Sequence, residues 1–329
     1  MGIATLGVLF VHSRNIIVLP RIVSVLFGYG GIGVYIFVFL SSIGLYFSLK
    51  IRGGGYSKTE FYKRRFQRVF VPYLLIAGSW YGVKYLLIQH DIYGFFYELS
   101  TLSFWRKHQG AWYVAMLIPV YFVFPYFFDW VEGGRPKMLT RNRKSISVTV
   151  IIIVLTFTIS LLNPQLYSHL SQVFSSILMY IVGYYCADKI MVGQYNGWLF
   201  SVICIVFYAV KAVTPLKGVD FINSISWSLL AIPILTVSSR FLSMVKSKLI
   251  NNFLGFFGEC SLEMYLWNIF LIQAIKYFGF IESLEGKYGN RGGYIAYGLV
   301  VVGGVALSVV YGKLSMLISK HMHLNPQVS

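Results

Sequence analysis

The chain has 329 residues, of which 57% are hydrophobic and only 12% charged, with a formal net charge of +17. Soluble domains carry about 25% charged residues, so this composition excludes a soluble enzyme and points to a polytopic membrane protein. The positive charge then suggests cytoplasmic loops facing anionic lipids, and an anionic cofactor, rather than nucleic acid.

A helix that crosses a bilayer needs about 20 apolar residues, within a range of about 17–25. The apolar runs predict an all-α bundle of about ten transmembrane helices in one domain, 1–329. They lie near 1–13, 29–49, 70–89, 110–128, 146–162, 172–187, 196–213, 221–239, 257–278 and 293–318. Lys and Arg in the connecting segments set the orientation. Segment 50–69 holds seven, 129–145 holds five (Arg135, Lys137, Arg141, Arg143, Lys144) and 240–256 holds three. These are alternate loops, so all three fall on one side, the cytoplasmic one. Ten spans then put both termini inside. No cleavable signal sequence is expected, and the first helix is read as retained.

Gly53-Gly54-Gly55 predicts a flexible break, not a phosphate loop, because no Gly-Lys-Ser/Thr follows. Glu132-Gly133-Gly134-Arg135-Pro136 reads as a turn, and Asn163-Pro164 ends the fifth helix. Cys186, Cys204 and Cys260 are far apart and are expected to be buried thiols. His321 and His323 read as a solvated tail, and no metal site is expected.

Five stretches carry candidate chemistry. His12 ends the first helix, and at 1.5 Å per residue it lies about 16 Å from the inner end, near mid-bilayer. A neutral imidazole there could accept a hydroxyl proton, or it could cap or bridge helices. In the second span, Gly28, Gly30, Gly31 and Gly33 allow close helix approach or leave room for a ligand. Ser41 and Ser42 follow, suited to a substrate or to back-bonding within the helix. Phe61 to Leu75 (FYKRRFQRVFVPYLL) carries Lys63, Arg64, Arg65 and Arg68 into an apolar run. Arg64 and Arg68 share a helical face, suited to an anion or to lipid headgroups. Trp112 and Tyr113 read as an interfacial belt or a sugar-stacking platform. Glu259 is placed at a helix start, where the positive helix end favours it. Glu263, Tyr265 and Asn268 lie within a span, where polar groups need partners.

Taken in order, these stretches resemble the acyltransferase family 3 integral membrane proteins over nearly the whole chain. MGIATLGVLFVHS is similar to the family's opening RGIA…H helix, and GIGVYIFVFLSSIGL to its GVxxFFxLSG segment. FYKRRFQRVFVPYLL is similar to F-x-x-R-R-x-x-R-x-x-P-Y-L. GAWYVAMLIPVYFVFP and FGECSLEMYLWNIFLI resemble its W-F/Y…Y…P and G-x-x-S-x-x-x-Y-L-x-H helices. The resemblance implies transfer of an acyl group, most commonly acetyl, from acyl-coenzyme A to a cell-surface or lipid-linked saccharide. It implies His12 as catalytic residue, Arg64, Arg65 and Arg68 as the basic cluster that would meet coenzyme A phosphates, and Ser41 as the family's serine. Ser41, Trp112, Glu263, Tyr265 and Asn268 are the candidate acceptor-binding residues. The expected setting is the cytoplasmic (inner) membrane of a bacterium, among lipids. The chain departs from the pattern at Met1, Tyr35, Ser42 and Asn268, which stand where the family has arginine, an acidic or polar residue, glycine and histidine.

Two other functional classes suit the same residues. Ten spans with polar groups at mid-depth fit a polysaccharide or lipid-linked sugar transporter or flippase. A non-catalytic partner in glycan assembly fits the departures.

Overall fold

The structure, a computed structural model, describes residues 1–51, 56–107, 110–133 and 138–321. Arg52, Gly53-Gly54-Gly55, the Gly134-Arg135-Pro136 part of the second turn, Lys137 and His323 lie outside the described residues. The chain begins with α1 (Gly2–Ser13), α2 (Arg21–Gly28), α3 (Ile32–Lys50), α4 (Lys58–Arg65) and α5 (Val71–Tyr81). It continues through α6 (Ile92–Leu99), α7 (Leu102–Lys107), α8 (Trp112–Glu132), α9 (Met138–Leu162), α10 (Pro164–Met191) and α11 (Gly197–Val213). It closes with α12 (Asp220–Leu229), α13 (Ala231–Met244), α14 (Lys248–Glu259), α15 (Ser261–Tyr277), α16 (Phe280–Tyr288) and α17 (Arg291–His321). No strand occurs among the described residues.

Seven helices among the described residues are long and apolar enough to cross a membrane. They are Arg21–Lys50, Lys58–Ile88, Trp112–Glu132, Leu139–Leu162, Pro164–Met191, Asp220–Met244 and Arg291–His321. An eighth results if Ser261–Tyr277 and Phe280–Tyr288, bent by 70°, form one broken span. Seven or eight helices among the described residues meet that length and composition, and the expected ten is not confirmed. The difference has a physical source. α1 has 12 residues, about 18 Å of helix against a hydrocarbon core of about 30 Å. α11, with 17 residues, reaches only about 26 Å. Composition counts apolar residues and cannot see where the chain turns.

The ends of the elements follow local chemistry. Asn163 caps α10, its side chain accepting from the Leu166 N–H at 3.0 Å, with Pro164 in the first turn. Gly279, with φ +64, makes the bend between α15 and α16. The expected 257–278 span is interrupted at Cys260. Glu259 therefore closes α14 instead of opening a helix, and Glu263 takes the first-turn position on α15. Cys186 and Cys204 are buried, whereas Cys260 is only half-buried.

The chain divides into two compact units. The first contains Met1–Gly31, Lys58–Pro119 and Asn252–Ser329, and the second Ile32–Ser57 and Val120–Asn251. In the first, α15 packs against α1, α5 and α17. Leu9, Phe257 and Met264 form one core cluster, and Ile16, Ile272, Ile281, Ala296, Tyr297 and Val300 another. In the second, α10 packs on α3 and α9. Gly183 lets α10 approach α3, since a β-carbon there would fall 2.7 Å from the Phe39 carbonyl oxygen.

Arg141 corrects the reading of segment 129–145 as a basic loop. It lies on α9 and is 4% exposed. Its Nε donates to Glu132 Oε1 at 2.6 Å, and Nη1 lies 3.2 Å from Asp188 Oδ2. Tyr46 donates to Asp188 at 2.9 Å and Tyr184 to Glu132 at 3.2 Å. These donors satisfy the buried Glu132 carboxylate and the half-buried Asp188.

Candidate functional site

The first unit gathers most of the candidate residues. α1 carries an apolar sequence with a small-residue face. A β-carbon on Gly30 would lie 2.0 Å from the Gly7 carbonyl oxygen, so the expected close approach at the glycine-rich stretch is realised there. Thr5 Oγ1 donates to the Phe257 carbonyl at 3.0 Å, which ties α1 to the end of α14. These contacts hold the first half of α1, and His12 sits half-buried in its last turn.

His12 Nδ1 lies 2.5 Å from Asn268 Oδ1, across 256 residues of sequence. Asn268 is on α15 and is 1% exposed. Its Nδ2 donates to the Tyr297 hydroxyl at 3.4 Å, and that hydroxyl donates to the Leu9 carbonyl on α1. Tyr265, one turn before Asn268, places its ring 6.3 Å from the His12 ring. Tyr113 packs edge-on against Tyr265 at 5.5 Å. His12, Asn268 and Tyr265 are thus brought together, with Tyr113 and Tyr297 beside them.

The arginine stretch has a local irregularity. The chain leaves α4 through a wide π turn, Phe66–Phe70, before α5 begins. The Val71 N–H donates to the Phe66 carbonyl, five residues back. Pro72 explains this: it has no N–H, and in a regular helix its ring would press on the carbonyl four residues earlier, that of Arg68. Wide turns of this kind are common at functional sites. The turn resets the register between Arg64 and Arg68, so the cluster is not one uniform face. Arg64 Nη2 pairs with Glu60 at 3.0 Å. The Arg65 guanidinium sits 5.6 Å over the Phe61 ring. Arg68 is exposed.

Trp112 opens α8 half-buried, edge-on to Tyr113 at 6.1 Å. Ser41 lies on α3, in the second unit, and is half-buried.

Sequence reasoning missed Tyr297 at this site and two further residues of the same unit, Glu98 and Gly110. Tyr297 is one of 25 tyrosines and sits in an apolar run with nothing to mark it. Glu98 is a 6%-exposed carboxylate that accepts from the Tyr85 hydroxyl at 3.3 Å. Gly110, with φ +77, lies beside that carboxylate: a β-carbon there would be 3.0 Å from the Tyr81 hydroxyl and 3.6 Å from Glu98 Oε2. The signal for Glu98 is a lone acidic residue among aromatics, between two apolar runs.

A held imidazole with one ring nitrogen engaged can take up a proton at the other. Arginines at the head of a span can meet an anion. A family model described as an acyltransferase domain matches residues 2–312. No curated protein and no solved structure matches the chain.

Proposed function

Since the chain belongs to the acyltransferase family 3, we propose that it is a membrane O-acyltransferase that moves an acyl group, acetyl in the first instance, from acyl-coenzyme A to a saccharide hydroxyl. The observation that carries this reading is His12, held at Nδ1 by Asn268 at 2.5 Å within a family-wide match.

Acyl-coenzyme A is a substrate here. Its phosphates meet Arg65 and Arg68, with Arg64 at the edge of the cluster. Its thioester reaches inward along the pantetheine arm. His12 accepts the proton of the acceptor hydroxyl, and the oxygen forms a bond to the thioester carbonyl carbon. The carbon–sulfur bond then breaks, and the proton on His12 passes to the departing thiolate. Trp112, Tyr265 and Glu263 are the residues proposed to contact the acceptor. Asn268 is assigned to His12 instead of the acceptor, because it is almost wholly buried against the imidazole.

The proposed orientation places the 50–69 basic stretch on the cytoplasmic side of a bacterial inner membrane. That is where acyl-coenzyme A is available, and it follows the positive-inside rule. Both termini are cytoplasmic in this arrangement if α1, α11 and the bent pair all traverse.

The carrier reading keeps one supporting feature, the 70° break between α15 and α16. Carriers place such breaks in corresponding positions of two repeats, and one bent pair passes among the described residues. The deciding experiment uses purified protein in proteoliposomes with labelled acetyl-coenzyme A and lipid-linked glycans from the native host. Label on glycan with wild type and not with His12→Ala is the expected result. Equal labelling by a folded His12→Ala protein would remove His12 from the chemistry. Glycan movement without label would favour a carrier.

A further inference from the structure

We infer that Tyr297 acts through Asn268 as a directional relay that locks His12 as its Nδ1–H tautomer and leaves Nε2 as the basic nitrogen. The inference rests on His12 being the base of the proposed transfer.

The direction is fixed at the far end. The Leu9 carbonyl can only accept, so the single proton of the Tyr297 hydroxyl is committed to it. The Tyr297 oxygen must then accept from Asn268, which presents its Nδ2 there at 3.4 Å. That choice orients the whole amide and turns Oδ1 towards His12. A carbonyl oxygen is acceptor only, so His12 Nδ1 must donate at 2.5 Å. In the neutral ring, Nε2 is then left with its lone pair.

The flipped amide is disfavoured for a specific reason. It would set Asn268 Oδ1 against a Tyr297 oxygen whose proton is already used, two acceptors face to face. Tyr297 is 7% exposed and Asn268 1% exposed, so bulk water cannot relieve that clash. The relay also tolerates turnover. Nδ1 donates to Asn268 in both the imidazole and the imidazolium, so proton uptake at Nε2 requires no rearrangement behind the ring. Tyr297 touches neither His12 nor any reacting atom; it is a positioning residue.

The test is nitrogen NMR of the full-length protein in nanodiscs, labelled with ¹⁵N-histidine. The His12 resonances are identified by their loss in His12→Ala. The expected wild-type spectrum at a pH where His12 is neutral has a bonded proton on Nδ1 and a bare Nε2. Tyr297→Phe removes the commitment to Leu9, and the Nε2–H form should appear. Acyl transfer should fall roughly tenfold or more in kcat, with the KM for acetyl-coenzyme A unchanged. Asn268→Asp in the Tyr297→Phe background should restore the Nδ1–H form, because a carboxylate can only accept. A wild-type His12 protonated at Nε2 would overturn the relay, as would a Tyr297→Phe protein with an unaltered tautomer. The expected tautomers without any acyl transfer by wild type would uphold the relay and refute the acyltransferase reading.

Discussion

Gly30 and Gly7 meet backbone to backbone, leaving no space for a β-carbon: one on Gly30 would sit 2.0 Å from the Gly7 carbonyl oxygen. Main chain cannot swing aside as a flexible side chain can. Gly30→Ala should therefore push α1 away from its neighbour and cost about 1–3 kcal/mol, the usual range for overpacking. Gly31→Ala is the matched control, since its β-carbon would meet only Val11 Cγ2 at 3.8 Å. Thermal unfolding in detergent should separate the two. Equal melting temperatures would show that the contact yields.

The Arg141–Glu132 pair makes a second comparison within the second unit. Arg141 is buried, and Glu132 also accepts from Lys50 at 2.5 Å. The Lys50 side chain keeps 40% of its exposure. Removing one partner of a buried pair costs about 3–5 kcal/mol, because the other charge is left without compensation. Exposed pairs contribute about 0–1 kcal/mol. Arg141→Ala should thus lower the unfolding midpoint far more than Lys50→Ala. Comparable shifts for the two would mean that water reaches Arg141.

These two cases also mark what could be read from the sequence. The glycine-rich stretch was legible because small residues at a helix start have few other uses in a membrane. The helical class and the 2–312 family match were legible from hydropathy and motif order. His12 was legible because an ionisable group in an apolar helix demands a partner, although that Asn268 is the partner required the fold. Arg141 was misread because positive charges near span ends are counted as loops. Its carboxylate partners come from positions 132 and 188, and no local pattern joins them. The count of ten is not confirmed, because the run at α1 is only 12 residues long, with Arg14 just past its end and Pro20 before α2. Tyr297 was invisible because its hydroxyl matters only through two residues far away in sequence.

Gly110 holds a left-handed conformation at φ +77, beside the Tyr81 hydroxyl and Glu98. A side chain there pays for the backbone, by about 1–2 kcal/mol, and also crowds Tyr81 at 3.0 Å. Gly110→Ala should therefore be more harmful than Gly78→Ala, where a β-carbon would meet nothing within 4 Å. The Gly110 effect should appear in acyl transfer as well as stability, because Trp112 and Tyr113 follow directly. Activity unchanged in Gly110→Ala would detach this turn from the site.

Arg68 and Arg64 should differ in their effect on acyl-coenzyme A, despite lying four residues apart. Arg64 is already engaged by Glu60 at 3.0 Å, whereas Arg68 is exposed within the π turn. A charge-assisted hydrogen bond to phosphate contributes about 1.5–3 kcal/mol, or roughly 10–150-fold in affinity. Arg68→Ala should raise the KM for acetyl-coenzyme A by an amount in that range, with a smaller change in kcat. Arg64→Ala should raise it only a few-fold, since Glu60 must be released before Arg64 can bind phosphate. Arg68→Lys should recover part of the loss, because a lysine keeps the charge but not the planar two-pronged donor. The Arg68 effect should also shrink as salt is raised, as screening weakens exposed charge pairs. A steady-state titration of acetyl-coenzyme A at two ionic strengths measures all of this. If Arg64→Ala is the more damaging change, the anion sits on the α4 side of the π turn, and the Glu60 pair opens to admit it.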